Sequence, residues 1–198
     1  MSWFRSALRR PALALLACAW PLAASALQLH GVQVPPSERV GEQTLTLNGA
    51  GTRSVLFFKV YVAGLYLPRP AHAASAALSM AGPKLMRLVM LRDVSGREMA
   101  DKLDSGLRDN VSKALAEQLA PSLTRLRELL AGQRELRSGQ VIELRGLADG
   151  GMAIVVDGKP LGQSFDTPGL FDALLRVWLG PHPADSGLKR GLLGETAR

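Results

Sequence analysis

One cysteine, three histidines and two tyrosines are all that this chain of 198 residues carries of those types. A single cysteine cannot close an internal disulfide, and it cannot build a cysteine-based zinc site. His30, His72 and His182 are scattered, with no second ligand type at metal spacing. They read as surface or loop histidines, and no metal is expected. Several catalytic signatures are also missing: there is no Gly-x-Ser-x-Gly elbow, no His-Glu-x-x-His pair and no Walker A loop. Gly49-Ala50-Gly51 lacks the third glycine of a dinucleotide fingerprint, and a strand pattern follows it, not a helix. It reads as part of a tight turn, and no cofactor is implied.

Acidic residues are the scarcer charge, with 17 Asp and Glu against 24 Lys and Arg, a net +7. The excess forms no stripe. Arg87, Arg92, Arg97, Arg108, Arg125, Arg127, Arg134 and Arg137 are dispersed and interleaved with acids. That is the pattern of a solvated face, and no nucleic-acid partner is expected.

Long apolar runs are absent too. The longest, Pro11 to Ala24, is shorter than the roughly 20 residues a membrane span needs, and Pro21 interrupts it. Arg5, Arg9 and Arg10 precede the run, and Ala24-Ser25-Ala26 follows it. This is the layout of a secretory signal cut after Ala26. Two alternatives stand beside that reading. One is a retained N-terminal anchor. The other is a lipoprotein, because Leu15-Leu16-Ala17-Cys18 resembles a bacterial lipobox. Plain cleavage removes three arginines and no acid, leaving 21 bases against 17 acids, or +4. It also removes Cys18, Trp3 and Trp20. The division is therefore a signal peptide over 1–26 and one domain over 27–198, with no transmembrane span in the mature chain.

What is present has the rhythm of a mixed fold. Leu29 to Val34 reads as an edge strand stopped by Pro35-Pro36. Gln43 to Leu47 alternates as a half-buried strand, and Asn48 to Gly51 reads as a turn. Val55 to Leu67 is β-branched and aromatic, and reads as one central strand buried on both faces. Ala71 to Ala81 suits a short helix and Lys84 to Leu91 a further strand. Ser95 and Glu98 fit a capping box. Met99, Leu103, Leu107, Val111, Leu115 and Leu119 then run at helical spacing, with a kink expected at Ser105-Gly106. Pro121 reads as the opening of a second helix, stopped by Gly132. Strands are expected at Gln140–Arg145, Met152–Val156 and Leu161–Phe165, the last two joined by the hairpin signal Asp157-Gly158. Thr167-Pro168 starts a helix carrying Phe171, Leu174, Leu175 and Trp178, and a short helix over Leu188–Leu193 ends the pattern. The grouping argues for an α+β fold, an antiparallel sheet with helices on one face.

Polar residues break the apolar pattern in two places. If the strand runs without a bulge, Arg53, Val55, Phe57, Lys59, Tyr61 and Ala63 share one face. Arg53, Lys59 and Tyr61 then form a polar wall that suits an anionic ligand, since a guanidinium offers a carboxylate a bidentate fork. Alternatively Arg53 and Lys59 reach solvent and Tyr61 is a core residue bonded to backbone. The second place is Asn110. On a continuous helix it falls about 20° from Leu103, inside the apolar stripe. There it either fixes the helix to the sheet by hydrogen bonds or presents its amide to a ligand.

Leu47-Asn48-Gly49-Ala50-Gly51-Thr52-Arg53, followed by Phe58-Lys59-Val60-Tyr61-Val62-Ala63-Gly64-Leu65-Tyr66-Leu67, resembles the opening of the chalcone isomerase-like proteins. Leu91-Arg92-Asp93-Val94-Ser95, Trp178-Leu179-Gly180, Leu188-Lys189 and Leu192-Leu193-Gly194 resemble the exported bacterial branch of that family. The resemblance spans most of residues 29–194. It implies an open-faced β-sandwich, a large antiparallel sheet with helices layered on one face. It aligns Arg53 with the arginine that stabilises developing negative charge in plant chalcone isomerases, and Asn110 with a substrate-contacting asparagine. It also exposes departures. The catalytic threonine falls on Tyr61, the helical active-site tyrosine on Leu103, and a substrate-contacting serine or threonine on or near Phe171.

Arginine beside a strand tyrosine is more similar to the non-catalytic, fatty-acid-binding relatives. The expectation is therefore a periplasmic binder of a small amphipathic or lipid-like anion, with Arg53, Tyr61, Asn110 and Lys59 as ligand-binding candidates. Two alternatives are an isomerase or lyase acting on an unsaturated carbonyl compound, with Arg53 stabilising an oxyanion, and a structural or adaptor protein with a filled pocket.

Overall fold

The computed structural model describes residues 27–195, so the expected leader and Cys18 lie outside the described residues. The described chain opens with a small hairpin of β1 (Leu27–Leu29) and β2 (Val32–Val34). His30 and Gly31 turn it, both at positive φ. A His-Gly pair thus serves as a two-residue turn where the sequence suggested one unbroken edge strand. A seven-stranded antiparallel meander follows: β3 (Ser37–Val40), β4 (Gln43–Val55), β5 (Phe58–Leu67), β6 (Lys84–Met90), β7 (Val141–Gly146), β8 (Met152–Val156) and β9 (Lys159–Pro160). The helix α1 (Ala74–Ser79) links β5 to β6, and α2 (Gly96–Arg108) and α3 (Lys113–Ala131) link β6 to β7. Two more, α4 (Leu170–Leu179) and α5 (Ser186–Leu192), follow the sheet.

Strand alternation divides the interior in two. Tyr61, Ala63 and Leu65 of β5 and Met86, Leu88 and Met90 of β6 face the helices. There they meet Leu103 and Leu107 of α2, Leu123 of α3, and Leu174 and Trp178 of α4. On the other face Val62, Tyr66 and Leu85 pack with Val34, Val40 and Leu45, a smaller core reached by the β1–β2 hairpin. The expected α+β class, a large antiparallel sheet with layered helices, is what the chain forms.

The structure corrects several boundaries, each for a physical reason. Asn48 to Gly51 is not a turn, because β4 runs unbroken from Gln43 to Val55 with a bulge at Asn48. The Asn48 amide occupies that irregular point, bonding Ala71 and Leu192 backbone. The expected central strand Val55–Leu67 is instead split by a hairpin turn at Leu56-Phe57. Its first residues are exposed, not buried on both faces.

The stripe from Met99 to Leu119 belongs to two helices. It breaks at Arg108, and Ser112 caps α3 by accepting the Leu115 N–H at 3.2 Å. That earlier cap leaves Pro121 inside α3 and not at its start. The expected strand Leu161–Phe165 reduces to β9 and a single bridge between Phe165 and Met152. Gly162 at φ 73° turns the chain away from the sheet between them. Ser95 is the N-cap of α2 as expected, its hydroxyl accepting the Glu98 N–H at 3.1 Å.

Candidate functional site

Arg53 of β4 and Tyr61 of β5 are direct cross-strand partners. Residues opposite each other in an antiparallel pair share a face, and this one looks toward the helices. Sequence parity alone predicted the pairing by a different route, along one continuous strand. The true route is the hairpin, and a bulge at Val60 sets the register: Arg53 faces Tyr61 while Ser54 faces Lys59. The predicted single wall is therefore divided. Lys59 lies on the exposed stretch of β5, its Nζ 2.9 Å from the His30 Nδ1.

The Tyr61 hydroxyl accepts a hydrogen bond from the Trp178 indole N–H at 3.0 Å. The two rings form the polar centre of an otherwise apolar layer. Burial pushes the Tyr61 pKa up to about 12, outweighing the Trp178 N–H and the positive charge of Arg53. The phenol is thus a neutral donor at ordinary pH, and its own proton remains available to an acceptor.

Arg53 is about a quarter exposed and sits 3.5 Å from the Asp185 carboxylate. Its Nη1 also donates to the Ser54 carbonyl. Asp185 is the N-cap of α5 and accepts the N–H groups of Leu188 at 2.9 Å and Ser54 at 3.3 Å. Burial alone would raise the Asp185 carboxyl. The Leu188 and Ser54 N–H groups, the Arg53 charge and the Gly187 N–H together hold it below the ordinary carboxylate value. Glycines make this approach possible. A Cβ on Gly49 would stand 2.2 Å from the Gly191 carbonyl, and one on Gly51 would stand 3.0 Å from the Leu188 side chain. The sequence motif Gly49-Ala50-Gly51 is thus a docking track for α5.

Asn110 lies two residues beyond the end of α2, not on its face, and is buried. Its Nδ2 donates to the carbonyls of Gly106 and His182, both at 2.8 Å, and its Oδ1 accepts the His182 N–H at 2.8 Å. The amide ties the end of α2 to the loop after α4. Leu103 and Phe171 are both buried in the helical layer.

A cleft of about 1220 Å³ opens where β1, β4 and α5 meet. Leu27, Leu29, Ala50 and Thr52 line one part of it, and Arg190 and Glu195 another. Thr52 precedes Arg53, but successive strand residues face opposite sides of the sheet, and Arg53, Tyr61 and Asp185 are not among the residues that line the cleft. Asp185 and Trp178 were not among the sequence candidates. The signal for Asp185 was its place as an acid before a short helical pattern, a cap signature. For Trp178 it was an indole N–H on an apolar helix face, which needs a partner when buried.

Comparison with known proteins adds three findings. The sequence pattern described as chalcone isomerase-like matches residues 26–194. Among curated protein sequences none matches. A solved structure of similar fold is that of a fatty-acid binding protein of Arabidopsis thaliana, at 18% identity and a TM-score of 0.64, covering 82% of this chain and 92% of that one.

Proposed function

The chain belongs to the chalcone isomerase-like family, and from that premise we propose that it is a non-catalytic binder of a small amphipathic anion such as a fatty acid. The observation that carries the reading is the Arg53–Tyr61 pair: a partly exposed guanidinium beside a buried phenol whose proton is free to be donated. A carboxylate head group takes Arg53 in place of Asp185 and accepts from Tyr61. The apolar chain packs on the same side of the sheet as Tyr61, against side chains of the helical layer. The similarly folded Arabidopsis protein, a fatty-acid binder, supports this reading. So do Leu103 and Phe171, which stand where the resemblance places the hydroxyls of an isomerase. The protein belongs, on this reading, to an exported bacterial branch and works in the periplasm after cleavage at Ala26.

Native extraction followed by lipid mass spectrometry tests it, with fatty-acid titration followed by Trp178 fluorescence. Trp178 is the sole tryptophan after residue 26. A lipid anion is expected to co-purify, and Arg53→Ala is expected to weaken binding roughly tenfold, the size of a charge-assisted hydrogen bond. If nothing co-purifies and fatty acids neither bind nor quench Trp178, the reading is lost.

The Arg53–Asp185 ion pair itself favours a second reading, a structural or adaptor protein whose site is filled by its own side chains. In that case Arg53→Ala lowers stability and changes no ligand affinity.

A further inference from the structure

The β4–β5 hairpin ends in Val55-Leu56-Phe57-Phe58, and these four residues are 45%, 86%, 96% and 62% exposed. No other part of the described surface exposes large apolar side chains in succession, and Leu27 at 43% is the one further example. The turn is chemically unusual as well. Leu56 holds φ at 53°, a region that glycine or asparagine occupies at little cost and a leucine rarely does. Loop tips of water-soluble domains normally carry small or polar residues. Here strain and exposed hydrocarbon coincide at one protruding point, and the packing of the fold uses neither.

The surroundings of the tip are basic. The Arg92 guanidinium lies 5.5 Å from the centre of the Phe58 ring. Lys59 follows the tip directly, and its contact with His30 brings the β1–β2 turn alongside. Arg53 stands two residues before Val55. The acids close by are already engaged: Asp185 pairs with Arg53, and Asp93 accepts the Ser138 N–H at 2.8 Å. Lys59 and Arg92 make no ion pair among the described residues.

We propose that Val55–Phe58 is a membrane-docking tip. Leu56 and Phe57 enter the boundary between head groups and acyl chains of a phospholipid surface, and Lys59 and Arg92 rest on anionic head groups. Apolar insertion plus flanking cations is the general chemistry of interfacial binding. A second copy of the chain is the poorer occupant. A convex two-residue turn offers far less than the roughly 800 Å² per partner that a stable protein interface buries. The inference stands apart from the ligand reading, although together they would place Arg53 next to a membrane surface.

The test is co-sedimentation of the purified protein with vesicles of phosphatidylcholine containing phosphatidylglycerol. The comparison is with a Leu56→Ser, Phe57→Ser double variant. Both proteins carry the same N-terminus, so any affinity of that segment cancels. Wild type is expected to sediment with the vesicles, less so without phosphatidylglycerol or at high salt. The double variant is expected to bind roughly tenfold or more weakly, the effect of losing the burial of one or two large apolar side chains. Its circular dichroism and melting temperature should match wild type, because the removed groups touch little of the fold. Lys59→Ala with Arg92→Ala should remove only the part that depends on phosphatidylglycerol. Fatty-acid affinity in free solution should be the same in wild type and the tip variant, so failure of either proposal is visible separately. Equal sedimentation of wild type and double variant, or none by either, overturns the inference. A wild-type dimer that the double variant splits overturns it in favour of a second copy.

Discussion

At the scale of single residues, polar groups inside the helical layer divide by what they bond. Asn110 bonds only backbone, with both amide protons and its carbonyl occupied. Asn110→Ala leaves the His182 N–H and two carbonyls without their partners, at a cost of about 2–4 kcal/mol. A urea denaturation midpoint should show that loss, and a variant within about 0.5 kcal/mol of wild type, the ordinary effect of an uninvolved site, would deny the amide its clamping role. Arg53 differs because, besides the Ser54 carbonyl, it meets another side chain, Asp185, at the surface of the layer. Asp185→Asn removes a charge held below the ordinary carboxylate pKa by its N–H donors and Arg53. A carboxyl with a depressed folded pKa contributes stability above its unfolded pKa and loses it as the pH falls through the folded value. The difference in stability between wild type and Asp185→Asn should therefore shrink on acidification below the ordinary carboxylate range. A gap unchanged by acid would mean that Asp185 acts through its neutral hydrogen-bonding shape alone. Arg53 and Tyr61 stood out in the sequence because a polar group in an apolar rhythm does, whereas Asn110 was singled out on a helical stripe that the break after Arg108 does not sustain. Asp185 was not, since an ion pair between distant segments leaves no periodic mark in either of them.

At the scale of elements, the close fit of α5 on β4 decides whether Asp185 reaches Arg53 at all. Gly49→Ala would place a methyl 2.2 Å from the Gly191 carbonyl, which is backbone and cannot swing aside. The helix must shift, at a cost of about 1–3 kcal/mol, as for other overpacked contacts. Hydrogen exchange should show protection falling across Ser186–Leu192 while β6 and β7 keep theirs. Unchanged protection in α5 would show that the glycine track is dispensable. This use of the glycines is also where sequence and structure part. Asn-Gly-Ala-Gly has the composition of a turn, and Val-Leu-Phe-Phe that of a strand. The chain does the reverse: the glycines lie within β4 because a helix presses on them, and the apolar residues form the turn. Elements whose shape follows from their own residues, such as the Ser95-capped α2 or the β6 strand, were readable in advance. Those whose shape depends on a neighbour were not. The continuation from α2 to α3 failed similarly, because a four-residue spacing persists across a break that only Ser112 marks.

At the scale of the whole molecule, the sheet separates two apolar layers, and each holds one of the two tyrosines. Tyr61 faces the helices, bonded to Trp178. Tyr66, five residues on and therefore on the opposite face, donates to the Pro35 carbonyl at 3.0 Å. Burial raises both phenols above the ordinary value, Tyr61 to about 12 and Tyr66 further. A group whose folded pKa is raised contributes stability that is whole below the unfolded pKa, near 10, and fades as the pH climbs toward the folded value. Above pH 10 the unfolded chain gives up phenolic protons that the folded chain keeps. Stability should then fall by up to about 1.4 kcal/mol per pH unit for each tyrosine. Alkaline titration is expected to show no tyrosinate absorbance step at the ordinary phenol pKa. Both tyrosines should ionise together, in the same narrow range in which circular dichroism reports unfolding. One tyrosine titrating near pH 10 with the secondary structure intact would mean that its layer opens on its own. The residue would name the layer: in Tyr66→Phe a surviving early step belongs to Tyr61 and the helical side, which holds the candidate site, and in Tyr61→Phe it belongs to the smaller core under the β1–β2 hairpin.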